Sequence, residues 1–299
     1  MFKHILVPLD GSHLAEAALA PAALIAQTLG APVTLIHIIE QGARREVHKN
    51  RHLTEADEAQ AYLREVVARA FPSDTKVETH VHSAAVEDVA QSIVQHAQEE
   101  FAPDLIVMCT HGKSGVRGLL FGSIAQQVVA HGTTPLLLVR PKEKGETFQL
   151  KRIFVPLDSE SIHDDSLPLS EELARAFDAE LYLLSVIPTF GTLAGERAAT
   201  GSMLPVTTAA LLDIKEENAT EHLQEHLDAL HAALALRVTA EVARGDPATV
   251  IVKSAEKVGA DLIVLSTHRK AGMGAFWARS VAPNVANRSK VALLLIPLK

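Results

Sequence analysis

Apolar residues in this chain fall into short runs separated by longer stretches with helical spacing. The run at residues 5–8 is followed by Leu14, Ala18, Ile25 and Leu29, which share one helical face, with Ser12 placed to cap it. Pro21 lies inside that pattern and is expected to kink the helix. Residues 33–39 predict a second strand and 40–51 a polar connection. A helix over 54–71, a more exposed strand over 76–82 and a helix over 86–99 come next. The apolar run 105–108 suits a strand buried on both faces, and it leads through a glycine-bearing turn to a helix over 119–131 and a strand over 135–139. Such alternation predicts parallel strands with right-handed crossovers, and ligands beyond the carboxyl ends of the strands.

The pattern occurs twice. Lys3-His4-Ile5-Leu6-Val7-Pro8-Leu9-Asp10 returns as Lys151-Arg152-Ile153-Phe154-Val155-Pro156-Leu157-Asp158, an offset of 148 residues. Asp104-Leu105-Ile106-Val107 returns as Asp261-Leu262-Ile263-Val264, an offset of 157, and the second half carries the longer connection, 188–205. The expectation is a duplicated domain, residues 1–141 and 150–299, joined by a charged linker within 141–150. The fifth strands, 135–139 and 291–296, are expected at sheet edges, which expose unpaired backbone groups.

Composition narrows the function. A net charge of −8 argues against nonspecific nucleic-acid binding. No apolar run reaches the length of a membrane span. A single cysteine, Cys109, rules out an intramolecular disulfide framework. With Met1-Phe2-Lys3-His4 entering a strand at once, the expected location is the cytoplasm.

The turn after the fourth strand carries the candidate chemistry. Thr110-His111-Gly112-Lys113-Ser114-Gly115 follows the strand, and Gly122-Ser123 precedes the next helix. Glycines allow close approach of backbone to ligand, and a helix start offers N–H groups to an anion. Gly112-Lys113-Ser114 resembles the end of a Walker A loop, but Val107 stands where that loop needs its first glycine. The loop after the first strand lacks G-x-G-x-x-G, so a dinucleotide fingerprint is absent too.

Here the chain resembles the universal stress proteins. The family's nucleotide-binding members carry G-x2-G-x9-G-[S/T] after strand four, and the same register gives Cys109-x2-Gly112-x9-Gly122-Ser123. Pro8 and Asp10 match the family's Pro-x-Asp after strand one, and His37-Ile38 its His-hydrophobic pair at the end of strand two. The resemblance implies two tandem five-stranded parallel α/β domains of strand order 3-2-1-4-5, Rossmann-like and of the adenine-nucleotide alpha-hydrolase-like type, packed as a pseudo-dimer. It also implies ATP or AMP as ligand, with or without Mg, and a chain that dimerises and answers to a regulatory protein partner. Asp10 would accept from a ribose hydroxyl or adenine amino group, and the Ile38 backbone would meet the base edge. N–H groups near Gly112, Gly115, Gly122 and Ser123 would hold phosphates, with Lys113 and Arg117 supplying charge. Cys109 stands where the family prefers glycine.

In the second half Ser266, Arg269 and Arg279 replace Cys109, Gly112 and Gly122, while Gly272 matches Gly115. Two arginines where phosphate must approach backbone predict no ordinary nucleotide site there. The 188–205 connection can cover that cleft or lie as a surface loop. The pairs His48/His52, His222/His226 and His80/His82 have ligand-like spacing but no accompanying cysteine or carboxylate set, so no metal site is expected. His163-Asp164-Asp165 reads as a helix start, and no catalytic triad is found. The leading function is a nucleotide-binding stress-response regulator. The alternatives are a slow ATPase, with His111, Lys113 and Ser123 as its loop groups, and an interaction or lipid/small-ligand-binding protein with degenerate clefts.

Overall fold

A computed structural model describes all residues except 43–45, 48–49, 52, 111–121, 142–146, 159–164, 194, 235–236, 268–280 and 299. The chain divides into two compact units. The first is built on Met1–Gln149 and takes in the last strand of the chain; the second is built on Leu150–Ser266.

In the first unit the strands are β1 (Ile5–Pro8), β2 (Val33–Glu40), a minor antiparallel ladder of β3 (Glu46–Val47) and β4 (Asn50–Arg51), β5 (Val77–Val86), β6 (Leu105–Cys109) and β7 (Leu136–Val139). The principal sheet runs β5-β2-β1-β6-β7, all parallel, which is the expected order 3-2-1-4-5. Ile5, Leu6, Val7, Val33, Leu35, Leu105 and Val107 are fully buried, because helices cover both faces. Helices α1 (Leu19–Leu29) and α2 (Ala56–Ala70) pack together, while α3 (Val89–Gln95) packs on α4 (Ser123–His131). This is the layering that right-handed crossovers impose on a sheet growing in both directions from β1.

Pro21 does not interrupt its helix. A 3-10 turn over Ala15–Ala18 precedes α1, and Pro21 falls in the first turn of α1, where a missing N–H removes no intrahelical bond. Ser12 takes part in the predicted cap, its Oγ accepting from the Ala15 N–H at 3.1 Å. At the outer edge, β12 (Ala292–Pro297) lies antiparallel on β7, with Leu294 opposite Leu137. Those two leucines are equivalent under the offset of 157, so the pairing of these two strands is locally twofold. The backbone of β7 is thereby covered rather than left open.

In the second unit, β8 (Arg152–Leu157), β9 (Glu180–Ile187), β10 (Val238–Arg244) and β11 (Leu262–Thr267) run parallel in the order β10-β9-β8-β11. The repeat shows in matched contacts. The Asp104 carboxylate accepts from the Lys3 N–H at 2.7 Å and the His4 N–H at 3.0 Å; Asp261 accepts from Lys151 at 2.8 Å and Arg152 at 3.0 Å. Each repeated aspartate fastens the start of its fourth strand to the start of its first.

The 188–205 connection is ordered rather than an open loop. Thr189 and Thr192 cap each other across a 3-10 turn, and α6 (Glu196–Met203) follows. The next helix, α7 (Pro205–Leu234), runs 30 residues and buries Leu212, Ala219, Leu223 and Leu230. Spacings of seven and four keep those residues on one face against β9 and β10. Helices α5 (Ser166–Phe177), α8 (Pro247–Lys257) and α9 (Val281–Arg288) complete the second set. Asp165 directly precedes α5, while His163 and Asp164 lie outside the described residues.

Candidate functional site

The sequence places its candidate residues at the carboxyl ends of β1, β2 and β6, and the structure brings these ends side by side. Pro8, half-buried, closes β1 opposite Ile36. Two residues on, Asp10 turns back: its Oδ1 accepts from the Ser12 N–H at 2.8 Å. Gly11 makes that turn possible with a φ of 88°, a left-handed conformation that costs a glycine little. Asp10 is therefore held by its own turn before it meets any ligand.

Cys109 ends β6 beside it. The side chain is 6% exposed and its Sγ donates to the Thr110 carbonyl at 3.3 Å. Burial pushes the thiol pKa up to about 12; the Asp10 carboxylate adds to the rise and Arg140 opposes it. Those influences place Asp10 and Arg140 within electrostatic reach of one sulfur. At pH 8 a thiol of that pKa is ionised in only about one molecule in ten thousand. Cys109 in the native chain should therefore resist iodoacetamide at pH 8 and react once urea unfolds the protein; rapid native labelling, read by intact mass, would contradict this burial.

Ile38, expected at the end of the second strand, is 7% exposed with His82 of β5 as its register partner, and β2 continues past it to Glu40. Its neighbour His37, 1% exposed, has a structural task that sequence reading did not assign. Nδ1 lies 2.7 Å from the Leu9 carbonyl and Nε2 3.0 Å from the Leu53 carbonyl. The ring thus ties the turn before Asp10 to the segment leading into α2, fixing one wall of the cleft. Tyr62 of α2 donates to Glu16 Oε1 at 3.0 Å. Its pKa is raised by burial first, then by Glu16, with Asp10 contributing as well, so Asp10 also faces this wall.

Gly122 and Ser123 form the start of α4. Gly122 is the N-cap, at φ −57° and ψ 141°, and Ser123 is exposed as the first helical residue. The first N–H groups of such a helix have no partners within it. His111, Gly112, Lys113, Gly115 and Arg117 lie outside the described residues, as do Arg269, Gly272 and Arg279 of the second half and the pair His48/His52.

Arg140, immediately after β7, is a cleft residue that sequence reading missed. It is half-buried, and burial lowers its pKa against the raising influence of Cys109. The signal was available, since the fifth strand's end belongs to the same edge of the sheet as the fourth. At the equivalent place the second half has Pro297.

The second cleft differs at other positions too. Asp158 is exposed and Val186 half-buried. Ser185 stands at the position of His37 and Ser266 at that of Cys109, and the buried Oγ of each has no hydrogen-bond partner among the described residues. The strut that His37 supplies in the first unit has no serine counterpart there.

Two tandem parallel α/β units, with a Pro-x-Asp turn and a glycine-marked helix start at the strand ends, define a duplicated, doubly wound α/β class of fold. The model of the universal stress protein family matches residues 1–140 and again 149–297, and the chain belongs to that family. A Staphylococcus haemolyticus protein carrying the family's name is 31% identical over 156 residues, 50% of this chain and 90% of that protein. Among solved structures, a universal stress protein from Archaeoglobus fulgidus superposes with a TM-score of 0.67 at 15% identity, covering 98% of this chain and 96% of its own. A Pseudomonas aeruginosa protein described as functionally unknown gives 0.69 at 16% identity, covering 99% and 92%. At these identities the structural likeness speaks for the fold. No helix among the described residues is long and apolar enough to cross a membrane.

Proposed function

We propose that the chain is a cytoplasmic stress-response regulator that binds one adenine nucleotide, ATP or AMP, in the cleft of its first unit. Nucleotide occupancy sets its regulatory protein partner or its assembly into a homodimer. The observation that carries this reading is Asp10. Its carboxylate is fixed by the Ser12 N–H, and its charge is felt by both Cys109 and Tyr62. A prepositioned acceptor costs a ligand less ordering entropy than a mobile one.

Around that acceptor the residues fit the ligand in parts. Pro8 and Asp10 form the turn under a ribose, and the Ile38 backbone offers a strand end to a base. Gly122, Ser123 and the N-terminus of α4 offer donors to phosphate, and Arg140 adds a cation. The family-like spacing of the loop supports His111, Gly112, Lys113 and Gly115 as the remaining phosphate contacts, with Mg as the counter-ion of a triphosphate. Cys109 is buried enough to leave the cleft open. The second unit, with arginines in its loop and Pro297 in place of Arg140, takes no nucleotide.

Native mass spectrometry of the freshly purified chain, followed by denaturation and analysis of what is released, tests this. The expected result is close to one equivalent of adenine nucleotide, or its uptake on adding ATP. A chain that neither retains a nucleotide nor takes up ATP or AMP at millimolar concentration would overturn the proposal.

A further inference from the structure

His80 and His82 are alternate residues of β5 and project from the same face, where their register partners are Ile36 and Ile38. After β5 the chain turns at Asp88, whose carboxylate accepts from the Gln91 N–H at 2.9 Å and caps α3. That helix does not end cleanly. From His96 to Phe101 it widens into a π turn, a rare geometry associated with functional sites. The turn sets His96 against the two strand histidines, with ring centroids 5.0 Å from His80 and 4.9 Å from His82.

The hydrogen bonds around these rings point in one direction. His96 Nδ1 lies 2.7 Å from Glu100 Oε2, so this nitrogen carries the proton and donates it to the carboxylate. In the neutral ring His96 Nε2 is then the nitrogen with the lone pair, and it lies 3.0 Å from His82 Nδ1. His80 Nε2 is buried and has no hydrogen-bond partner among the described residues, although a buried polar atom without one is costly. One ligand atom from each ring falls within 4.8 Å of the others. A carboxylate behind a ligating imidazole is the usual device for fixing its tautomer and raising its basicity.

We propose that His80, His82 and His96 bind one borderline divalent metal ion, of the Zn²⁺, Co²⁺ or Ni²⁺ kind. Imidazole donors suit these ions, and three such nitrogens leave a fourth position for water. Metal–nitrogen bonds of about 2.0–2.1 Å in tetrahedral geometry put ligand nitrogens roughly 3.3 Å apart. The His82–His96 pair is already near that separation, and side-chain rotation supplies the rest. The orphaned His80 nitrogen gains the partner it lacks. Sequence spacing alone could not reach this site, because only the folded chain brings His96 to the pair on the strand. The proposal stands independently of nucleotide binding, since Asp10 takes no part in it.

Titrating the chelator-treated full chain with Zn²⁺ against a chromophoric competitor should find one tight ion per chain. His96→Ala, and His80→Ala combined with His82→Ala, should each weaken it at least about 100-fold, and Glu100→Gln by about tenfold. His222→Ala combined with His226→Ala, which removes another close histidine pair, should leave the tight ion in place. Co²⁺ bound to the unaltered chain should show the intense visible absorption of a tetrahedral site, lost in His96→Ala. Should a variant misfold, Zn²⁺ added to the unaltered chain should still protect these three histidines from diethyl pyrocarbonate, read by peptide mass spectrometry. Failure of that protection, or unchanged Zn²⁺ affinity in the folded His96→Ala variant, would overturn the assignment.

Discussion

Arginine in place of Gly122 is expected to remove ATP binding from the first unit, an affinity loss of at least about 100-fold, or about 2.7 kcal/mol. The backbone does not require a glycine at this position. Its φ of −57° and ψ of 141° are open to any L-residue, so the substitution brings no conformational strain. What glycine supplies is room beside the N–H groups that open α4, and a long side chain fills it. The second half already has Arg279 at this point, so the same family fold carries the substitution. Arginine is also a good phosphate ligand, which argues the other way. Gly122→Ala separates the two effects, because a methyl group crowds the approach without offering a donor. Calorimetric titration with ATP should show a graded loss, small for alanine and complete for arginine, with far-UV circular dichroism unchanged. Unchanged affinity in the arginine variant would exclude the start of α4 from the site.

The readability of the chain followed the range of the forces involved. The parallel core strands were legible because burial on both faces writes an uninterrupted apolar run, as at 5–8 and 105–108. Where pairing rather than burial extends an element, the pattern goes silent. The strand read as 76–82 continues to Val86, because Glu40 pairs with Val86 across a register shift. The small ladder at Glu46–Val47 and Asn50–Arg51 has no apolar alternation to announce it. In the 188–205 connection, Gly and Thr suggested an open loop, yet reciprocal capping by Thr189 and Thr192 and packing of Leu193 with Ile187 and Leu212 made it ordered.

The site shows the same division. Asp10, Ile38 and Gly122 follow from motif position at strand and helix ends. Arg140, Tyr62 and the bracing of His37 between two carbonyls depend on chain segments that meet only after folding. For His37 the sequence supplied the residue and its place, but not its partners, Leu9 and Leu53. That bracing also gives a physical reason for asymmetry between the clefts, since the serine at position 185 is too short to span the same gap.

Asp10→Ala and Asp158→Ala remove the same carboxylate from one unit each and should have unequal consequences. Asp10→Ala is expected to weaken ATP binding by about 1–3 kcal/mol, roughly five- to 150-fold, the range for losing hydrogen bonds to a charged group. Part of that loss is structural. The Asp10 carboxylate also accepts from the Ser12 N–H, and without it the turn at Gly11 loosens. Asp10→Asn retains an acceptor for Ser12 while removing the charge. It should keep the thermal stability of the parent and lose affinity by an intermediate amount. Asp158 is exposed and followed by a cleft with Ser185, Ser266 and Pro297 in place of His37, Cys109 and Arg140. Its replacement by alanine should leave ATP affinity unchanged and stoichiometry near one per chain. Titration calorimetry on the three variants and the parent reads affinity and stoichiometry together. Loss of binding on Asp158→Ala, or two ATP bound per chain, would move the working site to the second unit or divide it between both.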